Sequence, residues 1–115
     1  MKSVIWNIQD EWQTLETVLV GIGVGIGPAP QLADTYDPLS SKHVQQGTYP
    51  NESDVTRELD VLAAALVAHG VQVKRPESLG FNQVFARDIG VVIDDAFVIT
   101  SMVEDRAQEL SLIHI

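Results

Sequence analysis

Four glycines at every second position, Gly21, Gly23, Gly25 and Gly27, follow the apolar run Val18-Leu19-Val20 and are closed by Pro28 and Pro30. Glycine is the residue with the least regular preference and proline stops helix and strand alike, so this stretch reads as a loop leaving a strand. The strand is Leu15 to Gly21, bounded by a polar start and the first glycine. A dinucleotide fingerprint needs G-x-G-x-x-G opening a helix, and the spacing and the prolines here break it. No Gly-Lys-Ser/Thr follows either, which removes a phosphate loop. Val18 to Ala29 is the longest stretch of low polarity, yet it is too short to span a bilayer. It also follows Asp10, Glu11 and Glu16, where a signal peptide carries positive charge. The expectation is no membrane association and a cytoplasmic protein.

Charge and cysteine content narrow the chemistry further. The chain has 16 acidic and 7 basic residues and a net charge of −9. Such a surface repels a phosphate backbone, so nucleic acid is not an expected partner. Acidity by itself reads as a solubility device. The cysteine count is 0 among 115 residues. That removes disulfides, cysteine-ligated zinc and thiol nucleophiles from what this chain does alone. One domain is the ceiling at this length, and a hydrophobic fraction of 45% with a charged fraction of 20% fits a folded α/β unit.

Further along, polar and turn residues dominate Gln31 to Thr48, including Asp34, Asp37-Pro38, Ser40, Ser41 and Gly47, and predict a long surface loop. A helix is expected from Asn51 or Ser53, either of which can cap it, with Glu52 and Asp54 suited to its positive end. Val55, Leu59, Leu62 and Leu66 recur at helical spacing and predict its buried face. His69 and Gly70 end it. Val71 to Lys74 reads as a second strand, stopped by Arg75-Pro76. Val84 to Ile93 and Ala96 to Thr100 read as two strands about an Asp94-Asp95 turn. Residues from Glu104 onward read as helical. Strand, helix, strand and hairpin in that order define one α/β unit without an internal repeat.

Several polar residues have simple structural readings. Asp94 and Asp95 are adjacent, point apart and suit a turn rather than a catalytic pair. His43 and His69 lack the spacing of a metal site, and no metal is expected. His69 suits the negative end of its helix. Trp6, Trp12, Phe85 and Phe97 read as core or core-edge residues.

Three segments, in order, resemble the arginine:glycine amidinotransferases of the guanidino-group-modifying (pentein) superfamily. Asp10-Glu11-Trp12-Gln13-Thr14-Leu15-Glu16-Thr17-Val18-Leu19-Val20-Gly21 is similar to the family's opening N-E-W-D-P-L-E-E-V-I-V-G, departing at Gln9-Asp10 and Gln13-Thr14. Lys74-Arg75-Pro76 ends the second strand as the family's arginine-proline does. Phe85-Ala86-Arg87-Asp88-Ile89-Gly90-Val91-Val92-Ile93-Asp94-Asp95 resembles its R-D block, followed at similar spacing by Met102 and Arg106. The similarity runs from residue 3 to about residue 110.

The resemblance implies a five-bladed α/β propeller of which this chain supplies roughly the first blade, residues 1–109 forming the N-terminal part of a catalytic domain. It implies attack of a cysteine thiolate on a guanidinium carbon, a histidine as general acid and base, and transfer of the amidino group from arginine to an amine. Neither residue of that pair is present in matching form, so the chain alone is expected to be inactive. No cofactor is expected. The partner implied is a small guanidino molecule. Guanidine hydrolases, such as dimethylarginine dimethylaminohydrolase or arginine deiminase, are the alternative within the superfamily. A non-catalytic acidic α/β domain that binds a protein is the alternative outside it. Residues 110–115, Leu110-Ser111-Leu112-Ile113-His114-Ile115, match the in-frame translation of a transposon end used as a sequencing adapter and are set aside from the fold as an artefactual tail; continuation of a genuine amphipathic helix, which their Leu and Ile content allows, is the alternative.

A guanidinium is planar, cationic and donor-only, so a carboxylate is its natural receptor. Asp88 occupies the position that resembles the family's guanidinium-contacting aspartate. Pairing with Arg87, or capping a local turn, is the competing role. Arg106 matches an arginine that holds the substrate's carboxylate in parts of the superfamily, where a bidentate fork fixes orientation. A surface helix arginine among Glu104, Asp105 and Glu109 is its competing role.

Overall fold

The computed structural model describes residues 6–35, 37–102, 107–108 and 110. Its first strand, β1 (Thr17–Leu19), lies parallel to β2 (Gln72–Lys74), with Thr17 opposite Gln72 and Leu19 opposite Lys74. The pairing runs one residue further, since Val20 N–H donates to the Lys74 carbonyl at 3.0 Å. Between the two strands come helices α1 (Pro38–Gln46) and α2 (Glu52–Ala68). An antiparallel hairpin of β3 (Gly90–Ile93) and β4 (Ala96–Ile99) follows. Among the described residues the two sheets stay separate and no propeller closure forms. The α/β class therefore holds as a small unit of two helices and two small sheets.

Helix α2 starts where its caps place it. The Asn51 side chain accepts the Asp54 N–H at 2.8 Å, and Glu52 and Asp54 occupy the first turn. At the other end His69 turns its ring Nδ1 to the Ala65 carbonyl at 2.8 Å, and Gly70 takes a φ of 83° that an L side chain resists. The inward face differs from expectation in one position. Val55, Leu59, Ala63 and Leu66 are buried or half-buried, while Leu62 is 49% exposed. At 100° per residue the stripe from Val55 through Leu59 continues to Ala63, and Leu62 falls to its side. The small Ala63 lies on the face by which α2 packs on the β1–β2 pair through β2.

The segment Gln31 to Thr48 is not the loop its composition suggests. Asp37 caps α1 by accepting the Ser40 N–H at 2.8 Å, Pro38 sits at the helix start, and Gly47 ends it at φ 68°. The punctuation residues are helix ends here. They read as a loop because α1 buries no residue and so carries no apolar periodicity. The expected strand Val84 to Ile93 is shortened as well. Ala86–Ile89 forms a 3-10 turn, and only Gly90–Ile93 is extended. In a 3-10 turn residues three apart share a side, so Ala86 and Ile89, 4% and 2% exposed, are buried together, which a strand's alternation forbids.

Among the described residues the buried apolar ones are Val20, Ala63, Val71, Ala86 and Ile89. That is a thin core. The radius of gyration, 15.7 Å, exceeds the roughly 13 Å typical of a self-contained domain of about 100 residues. Trp12 is 85% exposed, and Phe85 is exposed too, so neither joins the core as expected. Trp6 and Phe97 do meet, with ring centroids 5.3 Å apart.

The glycine run is fixed against neighbouring backbone. A Cβ on Gly21 would enter the space of the Val84 carbonyl oxygen, and one on Gly23 would stand 2.6 Å from Thr56 Oγ1. Ile22 N–H donates to the Gln83 carbonyl at 3.2 Å, and Arg75 donates to the Gly21 carbonyl at 3.0 Å while pairing with Asp60 at 3.0 Å. Gln83 is fully buried. Its amide oxygen accepts the Leu79 N–H at 2.6 Å and its nitrogen donates to the Glu77 carbonyl at 2.9 Å. The run is therefore a loop, as its composition indicates, laid closely on the rest of the chain. Among the described residues no helix is long and apolar enough to cross a membrane.

Candidate functional site

Asp88 lies in the 3-10 turn between the loop through Gln83 and strand β3, and the backbone on both sides of it is fastened. Its N–H donates to the Phe85 carbonyl at 3.0 Å, its carbonyl accepts the Thr100 hydroxyl, and Thr100 N–H donates to the Ile89 carbonyl at 3.2 Å. The side chain is 52% exposed. Asp88 thus does not open a buried strand, as its sequence position suggests; it is presented from a turn whose neighbours Ala86 and Ile89 are anchored in the core.

Its pairing with Arg87 is present but loose. The Arg87 Nε stands 3.9 Å from Asp88 Oδ1, and the arginine side chain is 84% exposed. A contact at that distance in solvent is worth little, on the order of tenths of a kcal/mol.

Asp88 borders a cleft of about 460 Å³ built by separate parts of the chain. Ile26, Pro28 and Pro30 of the glycine-proline loop form one wall, Tyr49 and Phe85 supply aromatic surface, and Asp34 and Asp37 bring two further carboxylates. Among the described residues the lining holds three carboxylates and no cation. The negative potential this gives favours a compact cationic ligand with apolar or π-faced flanks. No group of three histidine or carboxylate side chains converges as a metal cage among the described residues.

The three carboxylates are not equivalent. Hydrogen bonds from Ser40, side chain and backbone, hold the Asp37 carboxyl below its ordinary value of 3.8. Asp37 is therefore committed to the start of α1, whereas Asp34 and Asp88 are not helix caps. From the sequence alone Asp34 and Asp37 read as loop residues. The signal that places them was there in Asp37-Pro38, an N-cap followed by proline at the first helical position.

A larger cleft of about 940 Å³ separates the N-terminal segment and β1 from β3. Trp6, Leu15, Val18, Ile89 and Phe97 line it, and its carboxylates Asp10, Glu11 and Glu16 are offset by Lys74 and Arg87. Asp10 is further occupied by the Trp12 and Gln13 N–H groups, at 3.1 and 2.7 Å. Neither its charge nor its free acceptors single out a cation. The smaller cleft is the better candidate on chemistry.

Other sequence candidates fall away from the cleft. Arg106 lies outside the described residues, as do the helix expected from Glu104 onward in its first turn and most of the 110–115 tail. Asp94 and Asp95 form the hairpin turn, Asp94 at φ 56°, and the Asp94 backbone pairs with Ile8. His43 turns its Nδ1 to the Thr48 hydroxyl at 2.7 Å at the end of α1. His69 caps α2.

The chain is 35% identical over 80 residues to inosamine-phosphate amidinotransferase 1 of Streptomyces griseus, an alignment covering 61% of this chain and 22% of that protein. The chain thus spans about a fifth of the length of the curated relative it matches. The match is distant and partial, and it points to the broad family of amidinotransferase-like enzymes. No family model and no solved structure matches the chain.

Proposed function

We propose that this chain is the N-terminal portion of an amidinotransferase-like catalytic domain and that Asp88 receives the guanidinium of an arginine-like donor in the 460 Å³ cleft. The observation that carries the reading is the placement of Asp88. The aspartate of the family-like Arg87-Asp88 pair stands in a cleft with three carboxylates, no described cation and two aromatic rings. One carboxylate can accept two coplanar N–H groups of a guanidinium, which fixes the plane of the amidino carbon as well as its position. Tyr49 and Phe85 offer flanking π surface, and Asp34 adds to the potential that draws the cation in.

Chemistry on the amidino carbon needs a nucleophile, and the chain has no cysteine. The thiolate and the histidine of the family reaction come from outside residues 1–115 in this reading. The role of the chain is then recognition and orientation, and its thin core and exposed apolar side chains are surfaces that the remainder of the domain covers. The name of the relative, an amidinotransferase, favours transfer to an amine over hydrolysis.

The test is Asp88→Asn. The variant keeps the shape but turns one acceptor into a donor facing guanidinium N–H groups. Charge-assisted bonds are worth about 1.5 to 3 kcal/mol, so L-arginine affinity of the chain, followed by NMR titration, should fall by about tenfold or more. In the enzyme that carries the cysteine and histidine, kcat/KM should fall by about tenfold to several thousandfold. Stability should stay within about 0.5 kcal/mol, the range of a surface substitution, because the Asp88 side chain is 52% exposed. Normal arginine affinity with weakened folding would assign Asp88 to the scaffold instead.

A further inference from the structure

We infer that Glu52 is a positioning residue for the cleft: its carboxylate, projecting from the first turn of α2, clamps the glycine loop so that Ile26 and the prolines beyond it stand as a fixed wall opposite Asp88. The inference rests on the guanidino reading of that cleft and extends it to a residue that touches no substrate. Glu52 Oε1 accepts the Gly25 N–H at 2.9 Å and the Gly27 N–H at 3.2 Å. Those two amides flank Ile26, a wall residue, and lead directly to Pro28 and Pro30, two others.

The loop needs such a clamp from its own composition. Gly25 and Gly27 take φ values of 93° and 72°, a region open to glycine but one of many conformations it samples freely. Upstream, Gly21 and Ile22 are already tied to Arg75 and Gln83, and Gly23 is pressed on Thr56. Downstream of Gly23 the Ile26 N–H reaches back to the Gly23 carbonyl at 3.3 Å, a bond inside the loop that fixes it to nothing else. The Glu52 carboxylate joins this outer half to a capped helix. Two N–H donors on one charged acceptor are stronger than neutral bonds, and the half-buried side chain raises their weight.

A first-turn glutamate has an ordinary explanation in the helix dipole. Asp54 supplies the same charge in the same turn, yet it binds Asn51 and Arg57 and not the loop. That difference separates the two roles experimentally. If Glu52 positions the wall, removing its acceptor depopulates the binding-competent loop, and apparent affinity falls by the fraction lost.

The experiment compares the full chain with Glu52→Ala, Glu52→Gln and Asp54→Ala, by amide exchange at Gly25 and Gly27 and by NMR titration with L-arginine. Glu52→Ala should lose protection at both glycines and raise the arginine Kd by about tenfold. Glu52→Gln, which keeps an acceptor of the same reach, should restore both to within about threefold. Asp54→Ala should leave the Kd unchanged. Should Glu52→Ala not fold, Gly27→Ala serves in its place, since its φ of 72° strains any side chain without touching the carboxylate, and it must weaken arginine in the same way. An unchanged Kd in Glu52→Ala or in its substitute, or equal losses in Glu52→Ala and Asp54→Ala, overturns the positioning role alone. A parent chain whose spectrum arginine does not shift overturns the guanidino reading, and this inference with it.

Discussion

The parallel pair β1–β2 and the hairpin β3–β4 are of similar length, but they are held by different means. The first pair is covered by α2, flanked by the glycine loop and locked by the buried Gln83 and the Arg75 bridges. The second is a two-residue turn with its strands half in solvent; Val91, Ile93, Val98 and Ile99 are all 45% exposed or more. Its anchors are Ile89 at its base, the Ile8 pairing with Asp94 and the contact of Trp6 with Phe97. Stability in this chain belongs to the helix side, while Asp88 sits on the joint between the two regions. A site at such a joint depends on both and is buried in neither.

The sharpest way to break the comparison is Gly21→Val. Its side chain would meet the Val84 and Gln83 carbonyls, which are backbone and cannot step aside. A loss of about 3 kcal/mol or more is expected in urea unfolding, from overpacking of a closed site. A loss under about 1 kcal/mol would mean that the loop is not tied to the helix side at all. Ile89→Ala comes next. Truncating a buried isoleucine costs about 2 to 5 kcal/mol, and the low end, near 2, is expected because the hairpin beside it is free to collapse on the cavity. A cost near 5 would show the two regions packed as one.

A smaller and local effect belongs to Asp37. Its carboxyl is held below 3.8 by Ser40, so folding favours the charged form. The capping contribution is whole above the unfolded value of about 3.8 and is lost as pH falls through the lower folded value. The Ser40 amide resonance should therefore titrate with a midpoint under 3.8, and Asp37→Asn should abolish that titration; a midpoint above 3.8 would contradict the cap. Trp12→Ala should do least. At 85% exposure the ring is out of the core, and unfolding should shift by no more than about 0.5 kcal/mol.

Local signals were legible in the sequence wherever one residue type carries one meaning. Asn51 or Ser53, of which Asn51 is the cap, and His69-Gly70 mark the ends of α2, Asp94-Asp95 mark the hairpin, and the glycine run marks a loop. What escaped depended on burial. Helix α1 hid because a helix that buries nothing has no apolar period to read. Leu62 reads as part of the inner face because leucine is apolar, but the face closes on Ala63, whose small size is uninformative in sequence. The 3-10 turn hid because Ala86-Arg87-Asp88-Ile89 lies between Val84-Phe85 and Gly90-Val91-Val92-Ile93, apolar flanks that suit one continuous strand. Asp88 was singled out from the family-like pattern around it, whereas its cleft required Asp34, Asp37 and Tyr49 to arrive from 39 to 54 residues away, counting back from 88 to 49 and to 34. No local pattern encodes that meeting.

The register of the parallel pair also sets an order of events while the chain is being made. Thr17 faces Gln72, a separation of 55 residues, so β1 leaves the ribosome long before its partner exists. At about 5 to 20 residues per second the wait is roughly 3 to 11 s. The hairpin, by contrast, closes in about 1 to 10 μs once Ile99 is free. Until Gln72 emerges, Val18, Leu19 and Val20 are an apolar stretch without its partner, and for the first 35 residues of that wait, from 17 to 52, the glycine loop beside it also lacks its clamp, Glu52. Of these strands β1 therefore waits longest for its partner, and yield in a cell should respond more to chaperone supply during that wait than to any change in the hairpin.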